Sequence, residues 1–487
     1  MLQVEGRAGE LLGRVADFLA GEGVSAYLVG GYVRDALLGR QSADLDIAVA
    51  APAPDLAQRG AEVLGGKYVL LDRENGVARV VVPGNGPRWF CDFSGLRGSI
   101  EDDLAQRDFT IDAMAVKLEG EGGKIIDPFA GQRDLEGGLV RAVSPEVFQH
   151  DPVRLLRAVR LAAECGFRVE TDTEALIQQS CHLVARAAGE RVREELMRLL
   201  ALAGAASQVR YLDRLGLLLA IIPELGPAKG CQQPKEHRWD VFDHTLETVA
   251  ALERLLREVD GVYEEVVSQA PWSPALARYF GRSIGGFPRR ALLKLAALLH
   301  DIAKPQTRSF DEKKGKFRFL GHSQEGVDIA LGVMGRLRFS KREREVVGGV
   351  IRHHLRPAQM AYGDDLPSRR AIYRYFRDTA EVARDTLFLS LADHWATRGP
   401  NLDLEAWHNH AQAVEYIIEE REREGATVSP PKLIDGHDLI RLFGMEPGPH
   451  IGQVLEMVRE AQAAGEIGSR EEALALAKKQ LDFEQEK

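Results

Sequence analysis

Cysteine is scarce in this chain of 487 residues, and Cys91, Cys165, Cys181 and Cys231 form no close pair. That spacing argues against zinc knuckles and against a disulfide framework. No uninterrupted apolar run reaches the ~20 residues needed to cross a bilayer, so no membrane association is expected. Met1 to Gly21 is an amphipathic stretch with Glu5, Arg7, Glu10, Arg14 and Asp17 scattered through it, which differs from a signal peptide and points to a cytoplasmic protein. A positive net charge is also missing. The balance of −10 counts against non-specific nucleic-acid binding, yet it does not constrain a local patch. Fixed-period repeats and low-complexity tracts are absent.

What is present is ordinary globular composition, 45% hydrophobic and 28% charged, in a chain long enough for about three or four domains. After a helix over residues 1–26, short strands are expected at Ala26 to Val29, Asp44 to Ala50, Tyr68 to Leu71, Val77 to Val82 and Trp89 to Phe93. The same mixed pattern continues through Ala113 to Val116 and Lys124 to Asp127. From Pro145 the periodicity becomes helical and stays so to the end. Glycine and proline from Pro223 to Pro234, and the pair Pro430-Pro431, mark boundaries. An α+β architecture follows, divided as 1–142, 143–225, 226–425 and 426–487. Ser469 with Glu472 suggests a capping box near the end of the chain.

The most informative pair is Asp44 and Asp46 in SADLDIAVA. A strand points residues i and i+2 to one face, so both carboxylates project together while Leu45, Ile47 and Val49 face the other way. Adjacent acids repel unless cations neutralise them, and two divalent ions ~3.5–4 Å apart are a recurring engine of phosphoryl transfer. Upstream, Gly30-Gly31 lets backbone N–H groups approach an anion, and Val33 to Leu38 reads as a short helix stopped by Gly39. Arg107 in RDFTIDAMA could hold a triphosphate, or form a surface salt bridge with Asp103 or Asp108. Asp92 could be a third active-site carboxylate, or an acid at a strand edge.

A third block begins at Asp151-Pro152, read as a helix cap and first turn. Arg154, Arg157 and Arg160 then repeat every third residue, close to one face. They repel unless an anion or acids meet them. An aspartate and an arginine one turn apart supply an acceptor and a donor fork able to recognise the edge of a base. Residues 131–215 contain twelve arginines, no lysine and twelve acids.

In this order GGxVRDxLLG with DxD, RDFTxxAMA, DPxRLLRAxR and ERVREEL (Glu190 to Leu196) resemble the bacterial class II tRNA nucleotidyltransferase and poly(A) polymerase family. The resemblance implies a polymerase beta-like head, a neck that selects the incoming nucleotide with protein side chains, and a helical body and tail that hold tRNA. It further implies Mg2+ on Asp44 and Asp46. Gly31, Arg34 and Arg107 would contact the triphosphate. Asp151, Arg154, Arg157 and Arg160 would form the nucleotide-selecting neck, with Asp151 and Arg154 pairing with the base of ATP or CTP. The implied reaction joins nucleotides to a tRNA 3′ end as CCA, CC or A, releasing pyrophosphate. Two positions depart from the family pattern: His150 stands where Glu is usual, and Asp112 where Asn is usual.

A further constellation runs from His244 through His300-Asp301 and His322 to His353-His354 and Asp393. Histidine beside aspartate in an apolar helical run is costly to bury without partners. The order resembles the HD phosphohydrolase superfamily, with His244, His300, Asp301 and Asp393 as ligands of a further divalent metal. Histidines 322, 353 and 354 would allow two ions there; a degenerate helical domain kept for tRNA binding is the alternative. Three competing activities therefore stand beside addition to tRNA: poly(A) synthesis, a metal-dependent phosphodiesterase or phosphatase in the HD block, and a non-enzymatic RNA-binding scaffold.

Overall fold

The computed structural model describes residues 6–84, 88–118, 123–259, 261, 263–360, 366–423 and 432–485. The chain forms two compact units, Met1–Glu195 with Tyr211–Ile221, and Leu196–Arg210 with Ile222–Lys487.

The first unit is built on a seven-stranded mixed sheet. Its strands are β1 (Ala26–Val29), β2 (Asp44–Val49), β3 (Lys67–Asp72), β4 (Val77–Val82), β5 (Trp89–Gly95), β6 (Ala115–Lys117) and β7 (Ile125–Ile126). They lie in the order β3-β4-β5-β2-β1-β6-β7. The β2–β5 pair is parallel and every other neighbour is antiparallel. Each strand expected from residue alternation is present within a residue or two. Leu45, Ile47 and Val49 face helices α1 (Gly6–Gly21) and α3 (Ala53–Leu64), in a core shared with Val15, Leu19 and Leu56. Ala48 and Val29 pack on the opposite face with Ile100 and Leu104 of helix α4 (Ile100–Ala105); for this sequence, α2 is Gly31–Leu37. Full burial of each large aliphatic side chain contributes roughly 1.5–3 kcal/mol, so the register of β2 is pinned by its apolar face. A one-residue slip would turn the carboxylates into that core.

Three expectations shift. The helix assigned to residues 1–26 spans Gly6–Gly21, and a turn leads into β1. Asp151 does not head its helix directly: the helix runs Arg154–Cys165, preceded by a turn in which Asp151 Oδ1 accepts the Val153 N–H at 3.3 Å. The region after Pro145 also contains strands, Arg168–Val169, which pairs with Leu139–Val140, and hairpins at Ser283–Pro288 and Arg308–Phe319.

The second unit is otherwise helical. Helix Arg289–Leu299 is buried along nearly its whole length, against helices Val241–Leu255 and Lys341–His353. A smaller core of Ile434, Leu439, Val454, Val458, Ala473 and Ala477 closes the chain. There the Ser469 hydroxyl accepts the Glu472 N–H at 3.2 Å and the Glu472 carboxylate accepts the Ser469 N–H at 3.0 Å, so the expected capping box forms. Pro430-Pro431 lies outside the described residues. Among the described residues no helix is long and apolar enough to cross a membrane, and all four cysteines are free thiols.

Candidate functional site

Asp44 and Asp46 stand at the start of β2 on the face away from the α1–α3 core. The parallel register sets Asp46 directly beside Asp92 of β5, and adjacent strands are ~4.8 Å apart. Because β5 lies between β4 and β2, Asp92 is an interior acid, and its reading as a strand-edge residue is excluded. Gly30 closes β1 with φ +70°, and a Cβ there would lie 2.7 Å from Arg107 Nη1 and 3.2 Å from Asp46 Oδ2. The positive φ therefore favours glycine, and any Cβ there would displace the Arg107 guanidinium. The same contact brings Arg107 to the acidic pair, although its Nη2 also reaches Asp103 at 3.4 Å. Gly31 adjoins the Arg34 guanidinium.

Electrostatics reflect the crowding. Burial, together with Asp92, Asp112 and Asp44, pushes the Asp46 carboxyl up to about 6 against the pull of Arg107. Repelling carboxylates on a rigid strand, with one arginine among them, suit divalent cations with oxygen ligands. Arg34 donates to Asp112 at 2.7 Å and to Asp35 at 2.9 Å. Asp112 itself is buried and raised to about 6 by burial, with Arg34 opposing. The Asp112 carboxylate thus holds Arg34 in place.

The composition-based reading missed Arg79. It is opposite Asp92 in the β4–β5 register and donates to both carboxylate oxygens at 2.7 Å. A lone charge in the apolar run Val77 to Val82 was the available signal.

The neck arginines divide. Arg157 donates to Asp108 at 2.9 Å and to Glu195 at 3.0 Å. Arg160, buried, is bound by Glu195 and Glu164. Acids therefore meet these two, and they tie helix Arg154–Cys165 to helix Gly189–Ala201. Arg154 donates to the Gln106 carbonyl at 2.9 Å, while its buried Nε makes no hydrogen bond and lies 3.8 Å from Asp151. Arg191 forks both Asp151 oxygens at 3.0 and 2.7 Å. His150 is exposed at the end of helix Val147–His150.

The histidine cluster assembles in the second unit from five helical segments. His244 Nε2 lies 2.9 Å from Asp393 Oδ1 and 3.5 Å from Asp301 Oδ2, and His300 Nε2 lies 3.2 Å from Asp301 Oδ2. On the other side of the same carboxylate, His322 Nε2 is 3.4 Å and His354 Nε2 3.9 Å from Asp301 Oδ1. Asp301 is thus shared by two three-residue groups, His244–His300–Asp301 and Asp301–His322–His354, each with candidate ligand atoms within 4.8 Å of one another. The Nδ1 atoms of His300, His322 and His354 meet the Ala297, Phe319 and Ile351 carbonyls at 2.8, 2.6 and 2.7 Å. Such bonds direct the Nε2 lone pairs inward, as in metal sites. Despite the short distances, His244 Nε2, His300 Nε2 and both Asp301 oxygens are buried without an aligned hydrogen bond, the condition a cation would relieve. Burial would lower His300, but Asp301 and Asp393 outweigh it and hold the ring at about 10; His354 is held at about 4 by burial and its histidine neighbours. His353 is outside the cluster, so of the three additional histidines only 322 and 354 join it. Sequence reasoning also passed over Lys304, whose Nζ is 2.6 Å from Asp301 Oδ2.

Comparison with known proteins agrees with both constellations. Residues 26–141 match the poly(A) polymerase head domain, 166–229 the probable RNA- and SrmB-binding site of polymerase A, and 241–398 the HD domain. A CC-adding tRNA nucleotidyltransferase of Thermus thermophilus is 36% identical over 92% of each chain. An A-adding tRNA nucleotidyltransferase of Deinococcus radiodurans is 34% identical over 93% of this chain and 95% of its own. Among solved structures, the Thermotoga maritima CCA-adding enzyme complexed with tRNA superposes with a TM-score of 0.62 at 24% identity, covering 98% of this chain and 96% of that one; this likeness bears on the fold. The chain is a nucleotidyltransferase and belongs to the tRNA nucleotidyltransferase and poly(A) polymerase family.

Proposed function

We propose that the chain adds nucleotides from CTP and ATP to tRNA 3′ ends, as CCA or as its CC or A part. The observation that carries this reading is the register that sets Asp46 beside Asp92, with Arg107 against Gly30. Asp44 and Asp46 would hold Mg2+, with Asp92 oriented by Arg79, and Arg34 and Arg107 facing the triphosphate. The ions supply charge neutralisation for attacking and leaving oxygens. The protein's own part is to position the tRNA 3′-hydroxyl in line with the α-phosphorus while arginines bind the departing pyrophosphate. The division into a head at 1–142, a neck at 143–225, an HD body at 226–425 and a tail at 426–487, acting in the cytoplasm, belongs to the same reading. Extension assays with tRNAs ending before CCA, after CC, and with an unrelated RNA, each under a single nucleotide, test it. No extension of any tRNA with magnesium present would overturn it, and extension of the unrelated RNA would favour poly(A) synthesis.

For nucleotide choice, Asp151 and Arg154 would read the base edge. Arg191 occupies both Asp151 oxygens, so it competes with any base N–H for the same acceptor. Arg191→Ala is expected to change the CTP-to-ATP ratio of kcat/KM by about ten-fold, the worth of roughly 1.4 kcal/mol. An unchanged ratio would remove Asp151 from selection.

In the HD cluster, His244, His300 and Asp301 would hold one divalent ion, and Asp301, His322 and His354 a second. These imidazole-rich donors suit a transition metal, and the donor set would support phosphoester hydrolysis. His354→Ala should lower tightly bound metal by about one ion per chain, measured by elemental analysis after dialysis; a stoichiometry equal to wild type would exclude the second ion.

A further inference from the structure

Between Asp301 and His322 of the metal cluster, the chain makes a hairpin that the chemistry above does not use. Its strands, Arg308–Asp311 and Lys316–Phe319, pair antiparallel, with Gly315 at φ +59° in the turn. A two-stranded hairpin is marginal by itself. Yet this one carries the two most exposed large hydrophobic side chains among the described residues, Phe310 at 56% and, just past its second strand, Leu320 at 74%.

The register sorts its side chains. Arg308 is opposite Phe319 and Phe310 opposite Phe317, so these four share one face. The Phe310 and Phe317 rings meet edge-on with centroids 5.2 Å apart, and the Arg308 guanidinium lies 3.8 Å from the Phe317 centroid. Residues 308–320 contain five basic side chains and two acids. Arg318 is paired with Asp311. Against Arg308, Lys313, Lys314 and Lys316 the segment then offers only Glu312. Among the described residues none of those four basic side chains forms an ion pair or a hydrogen bond with another residue.

Both ends of the hairpin meet the cluster. Lys304 Nζ, before the first strand, is 2.6 Å from Asp301 Oδ2 and 5.6 Å from the Phe319 ring centroid. After the second strand, the Phe319 carbonyl meets His322 Nδ1 at 2.6 Å.

We propose that this hairpin is a docking surface for single-stranded RNA, with unpaired bases stacking on Phe310 while Arg308 and the three lysines meet the phosphates. An aromatic face accepts any base and cations track the backbone, the two chemistries that sequence-independent single-strand binding combines. A polyanion answers the unneutralised cations beside Phe310, whereas an apolar protein surface would strand their charge. A strand seated on Phe310 and continuing past Phe319 reaches Asp301 and His322, so the hairpin sets RNA beside the HD cluster. The proposal does not depend on which reaction the head performs.

The test uses the full chain and a short labelled oligouridylate, with binding followed by anisotropy across a salt series. Three variants are compared: Phe310→Ala, Phe310→Trp, and the triple variant Lys313→Ala/Lys314→Ala/Lys316→Ala. Affinity should fall about ten-fold in Phe310→Ala. In the triple variant the slope of log affinity against log salt should become shallower by about two, at ~0.7 per phosphate contact on a single strand. Stacking on the indole should quench emission in Phe310→Trp beyond any change seen in wild type, and all three variants should melt as wild type does. No added quenching, together with wild-type affinity and slope in the other two variants, overturns the proposal. A wild-type dimer in sedimentation that Phe310→Ala dissociates, with RNA binding unchanged, overturns it as well and makes the face a contact between copies. Extension of tRNA by the same wild-type preparation is read separately, so the function proposed above and this docking surface fail independently.

Discussion

Asp46→Ala is expected to abolish nucleotide transfer, with kcat reduced at least ~10³-fold, equivalent to about 4 kcal/mol of lost transition-state stabilisation. The reason lies in the geometry. Asp44 and Asp46 share one face of β2 and would together hold a divalent cation, whose chemistry there would be charge neutralisation of the reacting oxygens. Losing one carboxylate would remove one of the proposed metal ligands while leaving Asp92 tied to Arg79. The same substitution should not unfold the protein. Asp46 is crowded by Asp92, Asp112 and Asp44, so deleting it relieves repulsion, and in a chelated buffer Asp46→Asn should melt no lower than wild type. Single-turnover extension and a thermal melt distinguish the outcomes. Retained extension would mean that the acids hold no essential ion, whereas lost activity with a much lower melting temperature would mean that Asp46 is structural.

Much of this site was legible because strands repeat every two residues. The alternation in DLDIAV fixed which side of β2 carries carboxylates, and the apolar partners Leu45, Ile47 and Val49 are where that period puts them. What a one-dimensional pattern does not contain is which strand lies next to which. Asp92 appeared equally well as an edge acid because the crossover that inserts β5 between β4 and β2 is a property of the whole sheet. Arg79 was missed for the same reason, since its partner is fixed by register. The arginine series at 154, 157 and 160 was correctly seen to need opposing charge. Beside the local Glu164 on Arg160, its acids are Asp108 and Glu195, 49 and 38 residues from Arg157, and that separation hides the pairing. Adjacent histidines 353 and 354 look identical in sequence, yet a helix turns neighbours about 100° apart, so only His354 faces Asp301. The short hairpins were lost inside a helical stretch because strands of two to four residues leave little alternation to read.

Lys294→Met should cost about 3–5 kcal/mol, the usual penalty for removing one partner of a buried ion network. Lys294 is fully buried, and its Nζ donates to the Leu202 carbonyl at 2.7 Å and contacts Glu253 at 2.9 Å and Glu258 at 2.7 Å. Two of its donors are hydrogen-bonded to the Leu202 carbonyl and Glu253, and Glu258 Oε2 is held at ion-pair distance without an aligned hydrogen bond. Glu253 also accepts the Ala205 and Ala206 N–H groups at 2.6 and 3.0 Å, so its carboxylate holds the chain entering helix Ala205–Arg214 to helix Val241–Leu255. Without the ammonium, Glu253 and Glu258 face each other in a poorly solvated site; Glu258 is already raised by burial even with Lys294 present. At about 2–4 °C per kcal/mol for a unit of this size, the melting temperature should fall by roughly 10 °C. Adding Glu253→Gln to Lys294→Met should restore part of the loss, because it removes a stranded charge while keeping one carbonyl oxygen for one of the two N–H groups, which Glu253 now accepts on separate oxygens. The two helices joined by this network also carry His244 and lead into His300. Release of tightly bound metal on heating should therefore shift down with the melt. A metal-release temperature that stays at the wild-type value while the unit melts earlier would show that the histidine cluster is held independently of Lys294.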